Sequence, residues 1–549
     1  MRKIDRKIGA AGRGGTSRRA FLASTAATFA AMAWTGPFDL VRPARAAGGR
    51  SGTLVIAVAA AIEDLDPATN VNWAFGLFPV YDSLTRLKGA SIDDYEPWLA
   101  ESVTHNADFT AWTFKIRGGV RFHDGTACDA AAVKKAIVRT ISHPYGLGYA
   151  WALEDPEASI SVDDASTLTF NLGAPRPYFA IETAGQYGFG IASPTAAETH
   201  SNGPDDLGSE YLQSNPVGTG PYRFESMIPG QEIVYVRNPD FWGGWDDRQF
   251  EKIIVKTVPV SSTRQQMLAA GEADIILPGE PEDIVKLRDN KDYTMTVGES
   301  SELSYIAMAT DGRLKDPRVR RAFCHAFDEA AYIRDVRLET ALPPAGAFPT
   351  MMATVNPDIR KPSYDPAEAN RLLDEAGFDR SQELTYDFFE GNGALEGELF
   401  QAWLADLGIT LKLVEKPYSG FLDGYFGDAP AENRADFFFF SWWPAWNHPA
   451  DYAWPIFSGH TGSGTGNVGR YANEEATALI DALTQADVTD PETIKQSERL
   501  QQILAVEDPP WIPVAQEQAI WGHRRDIEGL QPNAMYVLTL DMTALSRTS

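Results

Sequence analysis

Apolar and polar residues alternate from position 112 to 122, the period of a strand with one buried face. The alternation runs through Gly118-Gly119 into His123-Asp124-Gly125, where glycine supplies the positive backbone angles of a tight hairpin turn. The period then lengthens. Asp129 precedes Val133, Ile137 and Val138 at helical spacing and is placed to cap that helix. Asp365-Pro366-Ala367-Glu368 predicts a second helix start, with Asp as cap, Pro in the first turn and Glu reaching back. Ala369, Leu372, Leu373 and Ala376 continue it, and Gly377 stops it. Residues 384–389, 395–407 and 409–414 read as strand, helix and strand, so the two strands should lie parallel in one sheet with a right-handed crossover. Phe437-Phe438-Phe439-Phe440 is apolar on both faces, as in a strand buried beneath helices in mid-sheet. The class is α/β.

Length changes this picture. A chain of 549 residues exceeds what one core organises, so two or three domains are expected. With no repeat and no low-complexity linker, the chain should cross between domains several times. Its first 46 residues stand apart. A basic region holding Ser17-Arg18-Arg19-Ala20-Phe21-Leu22 leads into an Ala-rich apolar stretch over 21–34, and Ala44-Arg45-Ala46 offers a cleavage site. This is the pattern of a signal peptide removed after Ala46. The paired arginines are those of a twin-arginine signal, with an ordinary secretory signal as the alternative. No cysteine precedes Cys128, which argues against a lipid anchor. Removing a segment with nine basic and two acidic side chains takes the net charge from −27 to −34. So acidic a surface repels nucleic acid and anionic lipid at long range.

Catalytic chemistry is sparse. The eight histidines form no HExxH or other metal spacing, and no GxSxG turn occurs. His123-Asp124 sits in the hairpin turn, and Gly218-Thr219-Gly220 is followed by Pro221, which has no N–H to offer a phosphate. The expectation is no enzyme, no metal and no cofactor.

Several short segments occur in a fixed order: Leu65-Asp66-Pro67, Tyr81-Asp82-Ser83-Leu84, Pro97-Trp98-Leu99-Ala100-Glu101-Ser102, residues 112–125, 216–224 (PVGTGPYRF), 237–242 (RNPDFW) and 316–322 (DPRVRRA). In order and spacing the chain resembles the family 5 extracytoplasmic solute-binding proteins, the peptide, dipeptide and nickel type that serve ABC importers. The resemblance implies a two-lobed periplasmic binding protein fold of type II, in its large three-domain form, with mixed sheets and a hinged ligand cleft. Domain I would comprise 47–90, 216–304 and 511–549, domain II 91–215, and domain III 305–510. It further implies a periplasmic monomer without a lipid anchor, capturing a small solute for a membrane permease and its ATPase. A sensor presenting its liganded form to a receptor is the alternative, and a hydrolase a remote one. Cys128 and Cys324 would fall in different lobes as buried free thiols.

Candidate ligand contacts follow the Phe437–Phe440 run: Trp442, Trp443, Trp446, Asn447, His448 and Asp451. Ligands of open α/β sheets bind beyond the carboxyl ends of strands, and the resemblance aligns this stretch with the family's ligand-contacting segment. Peptide-binding members place an aspartate shortly after a tryptophan there; the corresponding residue is Ala445, and Asp451 can substitute only if the loop folds back. The resemblance assigns a second wall to the loop with Asn70, Asn72, Trp73 and Phe75. Residues 278–281 are a candidate rim, and Tyr305 a candidate contact at the crossing into the third domain. Leu65-Asp66-Pro67, residues 97–100 and the FHDG turn are expected to determine the fold. The ligand stays open among peptide, oligosaccharide, opine-like conjugate and chelated metal.

Overall fold

A computed structural model describes residues 52–548 except 71–73, 145–150, 152, 154, 186, 187, 189, 390–391, 418–419, 422–433, 461–465 and 538. Its main sheet is mixed and has ten strands, in the order Leu411–Lys416, Leu384–Phe389, Phe437–Trp442, Tyr293–Met308, Trp511–Arg524, Ile275–Ile276, Thr53–Val58, Lys252–Thr257, Glu232–Arg237 and Tyr222–Ile228. The two longest strands join its halves. Residues 303–308 pair with Phe437–Trp442 on one side and with 511–516 on the other, whereas 293–299 pair with 518–524. Between Glu299 and Leu303 the register shifts. The irregularity interrupts the ladder where the two halves of the sheet meet.

The local readings translate into this architecture. Leu384–Phe389 and Leu411–Lys416 pair in parallel, joined through helix Ala394–Asp406. Phe437–Trp442 lies between two other strands, with Phe437, Phe438 and Phe439 buried by helices on both faces. Asp129 caps helix Ala130–Ser142 by accepting from the Ala132 N–H. Asp365 accepts from Ala367 and Glu368 at the start of Pro366–Ala376, which ends at Gly377 with φ of 63°. The expected return of Glu368 to the cap does not occur: its carboxylate pairs with Arg371, one turn on. Cys128 and Cys324 are buried free thiols.

The short ordered segments turn out to be ties between distant parts of the chain. Asp66 is fully buried and binds Arg139 and Ser209. Asp82 accepts from Trp98 Nε1 at 2.8 Å, Trp242 Nε1 at 2.8 Å and Thr219 Oγ1 at 2.9 Å. In the FHDG turn the His123 N–H donates to the Gly218 carbonyl at 2.8 Å, and Asp124 accepts from Ser193 at 2.5 Å. Asp82 and the FHDG turn therefore hold the second to sixth segments against one another, whereas Asp66 ties the first to Arg139 and Ser209 outside them.

Candidate ligand-binding site

The strand Phe437–Trp442 runs out into a loop that ends at helix Pro449–Phe457. His448 is the N-cap: its Nδ1 accepts from Ala450 N–H at 3.1 Å. Burial pushes this imidazole down to about 4. It is neutral at physiological pH, with the proton on Nε2, which faces the Ala486 carbonyl at 3.4 Å. Asn447 is buried too, its Oδ1 taking the Ala353 N–H at 2.8 Å. Both residues thus shape the loop through backbone bonds.

Asp451 lies in the first turn of the same helix and reaches back. Its Oδ2 accepts from the Ala445 N–H at 2.7 Å and the Trp446 N–H at 3.3 Å. The loop does fold over Asp451, which sets this carboxylate beside Ala445. Burial pushes the group up to about 7, against the two amide bonds that pull it down; the nearby Glu182 charge adds to the rise.

Facing this loop is a turn from the other lobe, around helix Phe179–Glu182. The Trp151 and Trp446 rings lie 6.3 Å apart, and Tyr178 sits 4.0 Å from the His448 ring while its hydroxyl donates to the Thr484 carbonyl. A Cβ on Gly185 would stand 2.6 Å from the Ala445 carbonyl oxygen, so only glycine permits this approach. Glu182 is buried and paired with Arg176, whose Nη1 also holds the Trp151 carbonyl at 2.6 Å. Among the described residues the indole N–H groups of Trp442 and Trp446 have no hydrogen-bond partner although both are buried; Trp446 lies on this interface, and Trp442 packs against the core around Phe438 and beside Gly466. Trp443, next after the strand, is half-buried.

Behind the turn is a cavity of about 270 Å³, lined among others by Asn70, Phe78, Arg86, Trp98, Gly185 and Tyr536. The aromatic loop does not line it, but Gly185 belongs to both, backing on to Ala445 while facing the cavity.

The family model of bacterial extracellular solute-binding proteins, family 5, matches residues 94–464. The chain belongs to that family. It is the substrate-binding component of an ABC importer, working outside the cytoplasm. It is similar to di/tripeptide-binding protein 2 of Pseudomonas aeruginosa, 26% identical over 88% of this chain and 93% of that one. It is likewise similar to heme-binding protein A of Haemophilus influenzae, 27% identical over 79% of this chain and 81% of the relative. Its fold matches the periplasmic binding protein DppA of Helicobacter pylori in complex with the peptide STSA, with a TM-score of 0.79, 23% identity and coverage of 91% and 98% of the two chains.

In this family 5 protein some expected contacts lie elsewhere. Tyr305 is a correction: it is fully buried and stacked on Trp511 with ring centroids 3.4 Å apart. Along its strand the odd positions Tyr305 and Ala307 face one helix layer and the even positions Ile306 and Met308 the other, so neither face meets solvent. Phe75 is also core, stacked on Trp521. Residues 278–281 adjoin helix Ser261–Ala270, where Gly279 N–H donates to Ser261. Asn72 and Trp73 lie outside the described residues. Trp151, Tyr178, Glu182 and Gly185 were not anticipated. One signal was available: the run GQYGFG at 185–190 alternates glycine and aromatic positions, a loop composition that lets backbone and ring approach a neighbour closely.

Proposed function

We propose that the solute is held between the loop 442–451 and the turn 178–185, with the cavity behind Gly185 taking the part that extends into the first lobe. The observation that carries this reading is the buried indole N–H of Trp446, without a hydrogen-bond partner among the described residues, on an interface where aromatic rings from both lobes converge. An unmade hydrogen bond in a buried place costs free energy, and a carbonyl or carboxylate of the solute would satisfy it. A cavity of about 270 Å³ suits a small solute, near the low end of the roughly 300–1,000 Å³ typical of ligand pockets. Contacts to both walls exist only when the lobes meet, so binding favours the closed form, which then docks on the permease. The names of the relatives, one a di/tripeptide-binding and one a heme-binding protein, favour a peptide or a peptide-like conjugate over a sugar.

The test is single replacement of Trp442, Trp443 and Trp446 by alanine. At least one will weaken binding by about 2 kcal/mol or more, roughly thirtyfold, with an unchanged melting temperature. Three variants that bind normally but melt earlier would make the rings core and move the site.

Delivery follows from the same reading: a twin-arginine-exported, periplasmic monomer without a lipid anchor and without catalytic activity of its own. Replacing Arg18-Arg19 by Lys-Lys should trap precursor in the cytoplasm, measured by fractionation; normal export would assign the general secretory route.

A further inference from the structure

The two longest strands lose register where the halves of the main sheet meet, and two carboxylates stand at that point. Glu299 pairs with Gln518 and Leu303 with Gln516, so residues 300–302 lie opposite the single residue Glu517. The extra residues are tied to different parts of the molecule. The Ser301 N–H donates to the Ala534 carbonyl at 2.9 Å, in the C-terminal segment, whereas the Glu302 carboxyl hydrogen-bonds Ser441 on the strand Phe437–Trp442.

One guanidinium serves both acids. Arg337 pairs with Glu517 through two nitrogens, Nη1 to Oε1 at 2.9 Å and Nη2 to Oε2, and the Ser304 hydroxyl donates to the same Oε1 at 2.8 Å. Among the described residues Glu302 has no ion pair, and the charges acting on it are those of Glu517 and Arg337. Behind Arg337 stands Tyr332, which burial holds un-ionised and which donates to Glu396. Arg337 reaches this place on unusual backbone. It follows a single turn of π-helix, Tyr332–Val336, and precedes Leu338 and Glu339, two consecutive side-chain-bearing residues with φ of 47° and 61°. Such backbone is disfavoured, persists only where its surroundings impose it, and gathers at functional points. Here the segment is pinned to the strand beside Glu517, for Leu342 and Gln516 exchange N–H to carbonyl bonds at 2.8 and 2.9 Å.

We propose that this junction is a proton-linked hinge: closure of the lobes encloses Glu302 against Glu517 and takes up one proton there, and opening returns Glu302 to water and releases it. The inference rests on the reading that solute capture closes the lobes, and it names a second signal to which that closure responds. Glu302, Glu517 and Arg337 together are neutral with one proton and carry an uncompensated negative charge without it. Burial and the Glu517 charge push Glu302 up to about 7. Burial raises Glu517 too, but the Arg337 charge and hydrogen bonds outweigh it and hold that group below its usual range, so the proton belongs to Glu302. A carboxyl raised in the closed form favours that form at acid pH, and the advantage is lost as pH rises from about 4.3 through about 7. The ratio of closed to open molecules therefore falls by up to about tenfold per pH unit in that interval and is level above it. Asp451, which burial also pushes up to about 7, titrates at the lobe interface with the same sign, so variants are needed to assign the effect.

The experiment is fluorescence transfer between dyes on Glu198→Cys and Lys495→Cys, exposed positions on the two lobes, in the mature protein without added solute. Cys128 and Cys324 are buried and stay unlabelled. Between about pH 5.5 and about pH 8 the wild type should lose closed population, with the steepest change just below about 7. Glu302→Gln keeps the shape and the neutrality of the protonated acid; it should stay closed across the range and melt no lower than wild type at its alkaline end. Glu517→Gln frees Arg337 for Glu302 and should move the midpoint down by about one unit or more. Transfer that does not change with pH in the wild type, or a wild-type dependence retained by Glu302→Gln, overturns the proposal. Calorimetry and transfer with Ala-Ala-Ala separate it from the reading beneath it: a peptide that binds without raising transfer removes capture by closure, while the response without solute still decides the hinge.

Discussion

Replacing Asp66 by alanine will destabilise the protein by about 3–5 kcal/mol, the range for breaking one side of a buried ion pair. The carboxylate is fully buried and uses both oxygens: Oδ1 meets Arg139 Nη1 at 2.9 Å and the Ala68 N–H at 3.0 Å, and Oδ2 takes Arg139 Nη2 and the Ser209 hydroxyl. Ser209 in turn lies 3.0 Å from His143 Nε2, and Arg139 Nε holds the Leu207 carbonyl at 2.6 Å. Without Asp66 a guanidinium whose side chain is 8% exposed has no counter-charge, and the serine and an amide lose their acceptor. The loss comes from that stranded charge, not from the attraction removed. The double variant Asp66→Leu, Arg139→Met should therefore recover much of the stability, because apolar pairs of similar volume replace buried ion pairs at little cost. Urea unfolding of the two variants measures both quantities. A single-variant loss below about 1 kcal/mol would mean that the pair behaves as an exposed one.

What could be read from the sequence and what could not divide along a physical line. Local periodicity located the Phe437–Trp442 strand and the Leu384–Phe389, Ala394–Asp406, Leu411–Lys416 unit, because burial on two faces and capping are written within ten residues. The facing of Tyr305 was not legible: a strand covered by helices on both sides carries no alternation to say which side a ring takes. His448 and Asn447 did have a local signal. A residue directly before Pro449, with Asp451 following, occupies an N-cap position, and its side chain serves the helix before any ligand. Asp451 could be read only conditionally, since the return of the loop depends on packing against Ala353 and the opposite lobe. Trp151, Tyr178 and Gly185 meet their partners across roughly 260 to 310 positions of chain, and only the hinge strands decide that meeting.

Replacing Asp82 by alanine is the other large effect, and its origin differs. Among the described residues Asp82 has no ion pair, and the Arg86 charge acts on it only from a distance. Three neutral donors from three separate segments, Trp98, Trp242 and Thr219, converge on one buried carboxylate. Each donor left without an acceptor costs about 1–3 kcal/mol, and partial relaxation brings the sum to about 3–5 kcal/mol. Trp98 lies edge-on to Trp242 with centroids 4.8 Å apart and carries the Arg86 guanidinium 3.3 Å above its ring, so loosening its N–H also loosens that stack. Asp82→Asn keeps one strong acceptor and should lose about half as much. The difference between aspartate and asparagine should shrink as pH rises: burial lifts the Asp82 carboxyl above its ordinary range, against the three hydrogen bonds that lower it, so ionisation costs the folded state free energy that asparagine never loses. Asp82 and Trp98 also line the cavity behind Gly185. Solute affinity should therefore fall in the alanine variant even under conditions where it is fully folded, whereas Asp66→Ala, outside the lining, should bind normally once folded. Equilibrium unfolding at pH 5 and pH 8, with titration of the folded fraction, separates the two roles, and equal affinity in the folded alanine variant would leave Asp82 a purely architectural residue.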